Sequence, residues 1–121
     1  SFIFSDYGDF LRTSANYVAE DSPKINEVGL KEDIFESFTG GYIETASRFL
    51  TEVEIKHLPY AAALFPYMQC VRFLADYING DTYYKIMYPE HNLIRSQNQL
   101  ALYNDMIAHE KMMNEFIKKF I

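Results

Sequence analysis

The chain has 121 residues, a length that suits one domain and is too short for two. Hydrophobic residues make up 49% and aromatic residues 17%, so the chain can bury a packed core and is not expected to be disordered. The formal net charge is −6 and the sequence contains no basic run, which argues against the clustered Lys and Arg of a nucleic-acid-binding surface.

Cysteine content and hydropathy indicate where the protein resides. The single cysteine, Cys70, lies in an apolar run and is predicted to be a buried, inert thiol. It cannot form an internal disulfide, which is typical of a reducing cytoplasm. No stretch has the apolar length of a membrane span and no secretory signal is visible, so we expect a cytoplasmic protein without a membrane partner.

The first predicted helix covers residues 7–19. Asp6 can cap its N-terminus, and Asp9, three residues later, completes a capping-box pattern in which Asp replaces the usual Glu. Pro23 then disfavours helix at the residue before it, so residues 20–30 are predicted to form a surface loop.

The second predicted helix covers residues 31–50. Apolar side chains from Ile34 to Phe49 recur there at three- and four-residue steps and mark one face of a helix. The pair Gly40–Gly41 lies inside this helix and costs about 1 kcal/mol per glycine relative to Ala. We expect the pair to allow another helix to approach closely, or to kink this one.

A third helical region follows a capping box formed by Thr51 and Glu54, which predicts a new short helix. Pro59 then opens a long helix over residues 60–78, because proline is well suited to a first helical turn. This helix is apolar on almost every side, which is typical of a central helix. Pro66 lies inside it and should kink it.

The last predicted helix covers residues 92–120, after an extended connector at residues 81–88. Its apolar stripe includes Leu100 and Ile107, at helical spacing with the other members. Substantial helices joined by short links indicate an all-α helical bundle, with residues 1–121 as a single domain.

Residues that carry catalytic chemistry are sparse. His57, His91 and His109 are spread along the chain, and none has a partner at metal-ligand spacing, so no metal site is predicted. No Ser or Cys nucleophile lies in a recognisable elbow. An independent small enzyme is therefore the least favoured interpretation.

One corner of the chain carries side chains suited to a ligand. Gly80 can take the left-handed conformation that ends a helix, with Arg72 in the apolar run before it and Tyr83 and Tyr84 just after it. An Arg in such a run must find an acceptor, and a guanidinium with two phenol rings suits a sugar. From the residues alone an alternative stays open, in which Arg72 pairs with an acid of the same domain and the tyrosines belong to the core.

Four segments carry a resemblance to a known family: D-Y-G-D-F-L-R at residues 6–12, F-L-T-E-V-E-I at 49–55, R-F-L-A-D-Y-I-N-G-D-T-Y-Y-K at 72–85 and H-N-L at 91–93. In this order they resemble the C-terminal end of the aminoglycoside-phosphotransferase-like kinases. The most similar branch is that of the N-acetylhexosamine 1-kinases, chains of which are also labelled mucin desulfatases. The resemblance covers nearly the whole chain.

The resemblance implies the helical C-terminal subdomain of a kinase-like C-lobe. Such kinases move the γ-phosphoryl of ATP to a sugar hydroxyl, using a catalytic loop and a Mg²⁺-binding strand. This chain contains neither element, and we expect both to lie before Ser1 in a longer natural kinase. The chain alone would then bind no cofactor and catalyse nothing, with ATP and Mg²⁺ implied for the complete enzyme. It would form one wall of the sugar pocket.

The resemblance also implies roles for five residues. Arg72 and Tyr83 match positions that resemble the sugar-contacting Arg and Tyr of the family. Thr13 stands where the N-acetylhexosamine branch often has a pocket-lining Phe, a departure that leaves the exact sugar open. Asp9 and Arg12 belong to the matched motif and are expected to brace the pocket through an Asp–Arg pair. The alternatives are a helix cap for Asp9 and a surface cation for Arg12.

A second interpretation is a free-standing, non-catalytic helical interaction module whose Arg72 corner contacts a protein partner. A domain cut from a larger kinase should also expose the apolar surface that met the rest of the protein, and such surfaces drive association. We therefore expect the isolated chain to self-associate, as a dimer.

Overall fold

The computed structural model describes residues 2–46 and 48–121. That part of the chain forms six α-helices and two 3₁₀ turns and contains no strand, so the predicted all-α fold is confirmed. The helices are α1 (Phe2–Ser14), α2 (Glu32–Ala46), α3 (Glu52–Lys56), α4 (Leu58–Ile78), α5 (His91–Ala108) and α6 (Glu110–Ile117), and the 3₁₀ turns cover Ile25–Glu27 and Lys118–Phe120.

Helix α1 begins earlier than the capping pattern predicted. It starts at Phe2 and ends at Ser14, so Asp6 and Asp9 lie inside it and the predicted capping box is wrong. Asp9 instead pairs with Arg12 one turn later, at 2.8 Å from Nε. An acid followed by a cation at this spacing fits the interior of a helix as well as its start, and the local pattern did not distinguish the two.

The loop after α1 and helix α2 follow the prediction in outline. Residues 20–30 form a loop with one 3₁₀ turn. Helix α2 ends at Ala46, so Phe49 falls outside it and is exposed, contrary to its predicted place on the buried face. A Cβ at Gly40 would meet the rings of Phe116 and Phe120 at an ordinary 3.6 Å, and one at Gly41 would meet no described residue within 4 Å. Neither glycine is needed for a close approach, and α2 runs on through both.

The short helix α3 forms as predicted. The Thr51 hydroxyl accepts a hydrogen bond from the Glu54 N–H at 3.1 Å, and the Glu54 carboxylate accepts from the Thr51 N–H at 2.8 Å. Both halves of the capping box are therefore present. Helix α4 follows with Pro59 in its first turn and continues through Pro66.

The last long helix is interrupted. The predicted single helix over residues 92–120 is wrong, because α5 ends at Ala108 and α6 begins at Glu110. His109 between them has φ −100° and ψ 11°, and its ring Nδ1 lies 2.7 Å from the Asp105 carbonyl oxygen. Its backbone N–H bonds the same carbonyl, so the backbone donor at the interruption is satisfied.

The buried face of α5 is polar over its N-terminal half, which also departs from the prediction. Leu100 and Ile107, predicted to lie on the apolar stripe, are exposed, whereas Asn98 is fully buried. The Asn98 side-chain amide donates to the carbonyls of Ala19 at 2.9 Å and Ser22 at 3.1 Å. Asn98 thereby connects the loop after α1 to α5. Burying its amide costs little free energy, because the amide is hydrogen-bonded.

Helix α4 packs against both α1 and α5, and it also carries exposed apolar side chains. Cys70 on this helix is buried, as predicted, and burial raises the pKa of its thiol. One stripe of exposed apolar side chains runs along this helix, here called the α4 stripe: Tyr60, Tyr67, Val71, Leu74 and Ile78. The ring of Tyr67 also contacts that of Tyr103 on α5, at 5.1 Å. Among the described residues, no helix combines the length and the apolar character needed to cross a membrane.

Candidate functional site

The candidate site is built on the C-terminal end of α4. The Gly80 N–H bonds the Tyr77 carbonyl at 3.2 Å, and the Asp81 N–H bonds the Asp76 carbonyl at 2.8 Å. These two bonds form a Schellman motif, which requires the residue after the cap to be left-handed. Gly80 has φ +89°, so its predicted role as the helix terminator is confirmed.

The carboxylate of Asp76 fixes the segment that leaves this helix end. It accepts hydrogen bonds from the backbone N–H of Tyr83 at 2.8 Å and of Tyr84 at 3.0 Å. It also accepts from the side-chain amide of Asn92 on α5 at 2.7 Å, and the same amide bonds Asp81 at 3.0 Å. Asp76 therefore joins α4, α5 and the connector at one point.

The electrostatics of Asp76 follow from these contacts. Burial disfavours the charged carboxylate and by itself raises its pKa. The hydrogen bonds donated by the N–H groups of Tyr84 and Tyr83, by Asn92 and by the N–H of Thr82 outweigh burial and hold the pKa of Asp76 below its ordinary value. Asp76 is consequently an anion at neutral pH and serves as an anchor for backbone donors.

Aromatic contacts continue from this anchor to the surface. The ring of Tyr84 lies 4.8 Å from that of the buried Phe73, and the ring of Tyr83 meets Tyr84 edge-on at 4.9 Å. The guanidinium of Arg95 covers the Phe73 ring at 5.5 Å. Tyr83 is 81% exposed although its backbone is tied to Asp76, so its ring is presented to solvent from a fixed base.

Arg72 and Tyr83, predicted from the sequence to act together, line the same open cleft of about 480 Å³. The other residues that line it are Ala75, Asp76, Asn79, Thr82 and Tyr84. Arg72 is exposed and has no carboxylate partner among residues 2–46 and 48–121. The alternative, in which Arg72 pairs with an acid and the tyrosines belong to the core, does not hold for Arg72 or Tyr83 in this part of the chain. Tyr84, in contrast, is partly buried and packs on Phe73.

The three predicted site residues of α1 lie outside the lining of this cleft. Thr13 is exposed, and its hydroxyl donates to the Phe10 carbonyl at 3.1 Å. Arg12 is buried between two carboxylates, those of Asp9 and Glu20, so it is not a surface cation. The expected Asp9–Arg12 pair is present, and Glu20 is a partner that the sequence did not indicate.

Asp76 was also not singled out from the sequence, although one signal pointed to it. It is an acid one turn before the end of an apolar helix, and an acid in such a place needs donors. Its donors come from residues 83, 84 and 92, and only the folded chain brings these to it.

The cleft has the chemistry of a binding site. It offers guanidinium donors, a phenol with an exposed ring, and small polar groups, whereas its carboxylate is already engaged by backbone donors. In the described part of the chain, no group of three His, Cys, Asp or Glu side chains is arranged to hold a metal ion. In a comparison with known protein families, no family model matches this chain.

Proposed function

We propose that this chain forms the sugar-binding wall of an ATP-dependent small-molecule kinase and supplies no catalytic group itself. The substrate class is an N-acetylhexosamine or a related sugar. The observation that carries the proposal is the pairing of an exposed Arg72, without a carboxylate partner in the described residues, with an exposed Tyr83 across one cleft. Such a pair provides directed donors and an aromatic face, which are the groups that bind sugars.

Each residue of the cleft has a separate part in this proposal. Arg72 donates hydrogen bonds to sugar oxygens, and Tyr83 stacks on the sugar ring or bonds a hydroxyl. Asp76 does not touch the sugar but keeps the Tyr83 backbone in place through its 2.8 Å hydrogen bond. A rigid base of this kind lowers the entropy lost when a ligand orders the site.

The α1 residues belong to the proposal through the resemblance. Thr13, on the exposed side of α1, contributes to the pocket in the complete enzyme. Asp9 and Arg12 brace that wall, since Arg12 joins α1 to the following loop at Glu20. The catalytic loop, the Mg²⁺ ligands and the ATP site belong to the other part of a longer cytoplasmic kinase, so ATP and Mg²⁺ act outside this chain.

The test is steady-state kinetics of the complete protein with a panel of hexosamines and hexoses. ADP release is the measured signal. We expect Arg72→Ala to raise KM for the sugar by about tenfold, the effect of losing about 1.4 kcal/mol, with KM for ATP unchanged. Arg72→Lys is the matched variant, because it keeps the charge and loses the fork of donors. Lys24→Ala, an exposed cation in the loop after α1, is the control. Equal changes in both KM values, or none, would remove Arg72 from the sugar site.

A second candidate function is a free-standing interaction module, and the observation behind it is the α4 stripe, which a domain cut from a kinase would expose as well. A long apolar stripe on the surface of a helix is unusual in a protein that works alone. An immunoblot of the source cells distinguishes the two proposals by the size of the natural protein. A band much larger than 14.2 kDa supports the kinase, and a band at that mass supports the module.

A further inference from the structure

The connector between α4 and α5 is held at a second point by a histidine. The ring of His91 is 3% exposed, and its Nδ1 lies 3.1 Å from the backbone nitrogen of Met87. A backbone N–H only donates, so Nδ1 must be the acceptor and carries no proton. The proton of the neutral ring is then on Nε2, which donates to Asp21 at 3.0 Å.

Two different acceptors therefore hold the two halves of one connector. The half that lines the cleft is held at Tyr83 and Tyr84 by the carboxylate of Asp76. The half nearer α5 is held at Met87 by the imidazole of His91. The carboxylate keeps its acceptor oxygens at any pH near neutrality, but an imidazole loses its acceptor when it gains a second proton.

We propose that His91 is a proton-sensitive latch on residues 85–88. Protonation places an N–H on Nδ1 directly opposite the N–H of Met87, so the hydrogen bond is lost and two donors face each other. The latch then opens, while the cleft half of the connector stays bound to Asp76. Acidification thus loosens one half of the connector and leaves the other in place.

The charged and titratable groups around His91 are consistent with a loss of the Met87 hydrogen bond alone. Asp21, from the loop after α1, faces Nε2 and accepts its hydrogen in both protonation states, so the imidazolium stays in place. The Tyr88 ring stacks on the imidazole at 4.6 Å. Glu90 precedes His91 in the chain, and Arg95, one turn later on α5, directs its guanidinium to the Lys85 carbonyl at 3.1 Å. The change on protonation therefore falls on Nδ1 and Met87.

The experiment is backbone amide hydrogen exchange of this chain, read by NMR at Met87 and Tyr83 and expressed as protection factors. Between about pH 7.5 and about pH 5.5 we expect protection at Met87 to fall about tenfold or more. Protection at Tyr83 should stay constant, because Asp76 remains charged over this range. The readout is a backbone amide, so it does not depend on the proposed sugar binding.

His91→Asn is the matched variant, because its side-chain carbonyl offers an acceptor near the position of Nδ1 and does not titrate. Its Met87 protection should be independent of pH. Asp21→Asn, which keeps the imidazole and its acceptor Nδ1, should still lose Met87 protection on acidification. The proposal is overturned if Met87 protection in the wild type does not change with pH, or if Tyr83 loses protection together with Met87. It is also overturned if folded His91→Asn shows the wild-type response.

Discussion

Gly8 of α1 lies directly against the ring of Phe65 on α4. A Cβ at Gly8 would lie 2.7 Å from Cγ of that ring, a distance that real Cβ atoms do not reach. The absence of a side chain at Gly8 therefore allows the two helices to approach this closely, and any other residue there would require the Phe65 ring or the helices to shift.

Gly8→Ala should lower the free energy of unfolding by about 1–3 kcal/mol through overpacking, reduced by up to about 1 kcal/mol of improved helix propensity. Gly41→Ala is the matched control, because a Cβ there meets nothing within 4 Å, and it should stabilise by about 0.5–1 kcal/mol. Urea denaturation followed by circular dichroism measures both. Equal stability of the two variants would contradict the close contact.

Asp76→Asn should lower the free energy of unfolding at neutral pH. The new amide turns a donor towards backbone N–H groups whose hydrogen bonds the carboxylate accepted. The pKa of Asp76 is lowered in the folded state. The contribution of its carboxylate to the free energy of unfolding is therefore fully present above the ordinary aspartate pKa of about 4. That contribution is lost as pH falls through the lower folded pKa.

The measurement is the difference in unfolding free energy between wild type and Asp76→Asn, determined near neutrality and at acid pH. The difference should shrink on acidification. Glu115→Gln, at an exposed site on α6, is the control and should show a small, nearly constant difference. A difference for Asp76→Asn that grows towards acid pH would refute the lowered pKa.

Arg12→Ala should destabilise the chain by about 1–2 kcal/mol, because it removes a buried guanidinium and its hydrogen bonds to two partly exposed carboxylates, those of Asp9 and Glu20. The matched control is Lys56→Ala. Lys56 pairs with Glu52 at 3.4 Å on the surface of α3, where an ion pair contributes less than about 1 kcal/mol. Thermal or urea unfolding distinguishes the two, and a loss for Arg12→Ala as small as that for Lys56→Ala would show that the pair is not structural.

The isolated chain should self-associate through the α4 stripe, because no acidic side chain interrupts that face although the net charge is −6. Size-exclusion chromatography with light scattering should give a mass near twice 14.2 kDa at high concentration. Ile78→Lys or Val71→Lys should shift the chain to monomer, whereas Ile121→Lys, at the C-terminus, should not. A monomer at every concentration would contradict the prediction.

Local signals in the sequence identified several features correctly because each depends on neighbouring residues alone. The capping box of Thr51 and Glu54 is complete within four residues. Gly80 ends α4 because the left-handed conformation is a property of that residue. The apolar run around Cys70 was long enough to indicate burial of the thiol.

Other features followed from contacts between distant segments, and the sequence pattern misplaced them. Nothing in the local pattern indicated that Asn98 is buried, because the carbonyls that accept from its amide lie more than 70 residues away in the chain. Periodicity continued through His109, so it could not indicate the interruption between α5 and α6. The acids at Asp6 and Asp9 fit a capping pattern, but they fit the interior of a helix equally well, where Asp9 pairs with Arg12.

The sequence by itself determined that this protein is an all-α chain with a packed core. It also determined where α3 begins, where α4 ends, and that Arg72 and Tyr83 flank the end of α4. These properties follow from propensity, periodicity and capping, which act over a few residues. Only the tertiary structure decided that Asp76 and Asn92 hold the connector, that His91 meets Met87, and that the α4 stripe is exposed. Each of these depends on which helix packs against which, and hydrogen bonds and burial across a helix interface exist only once the chain has folded.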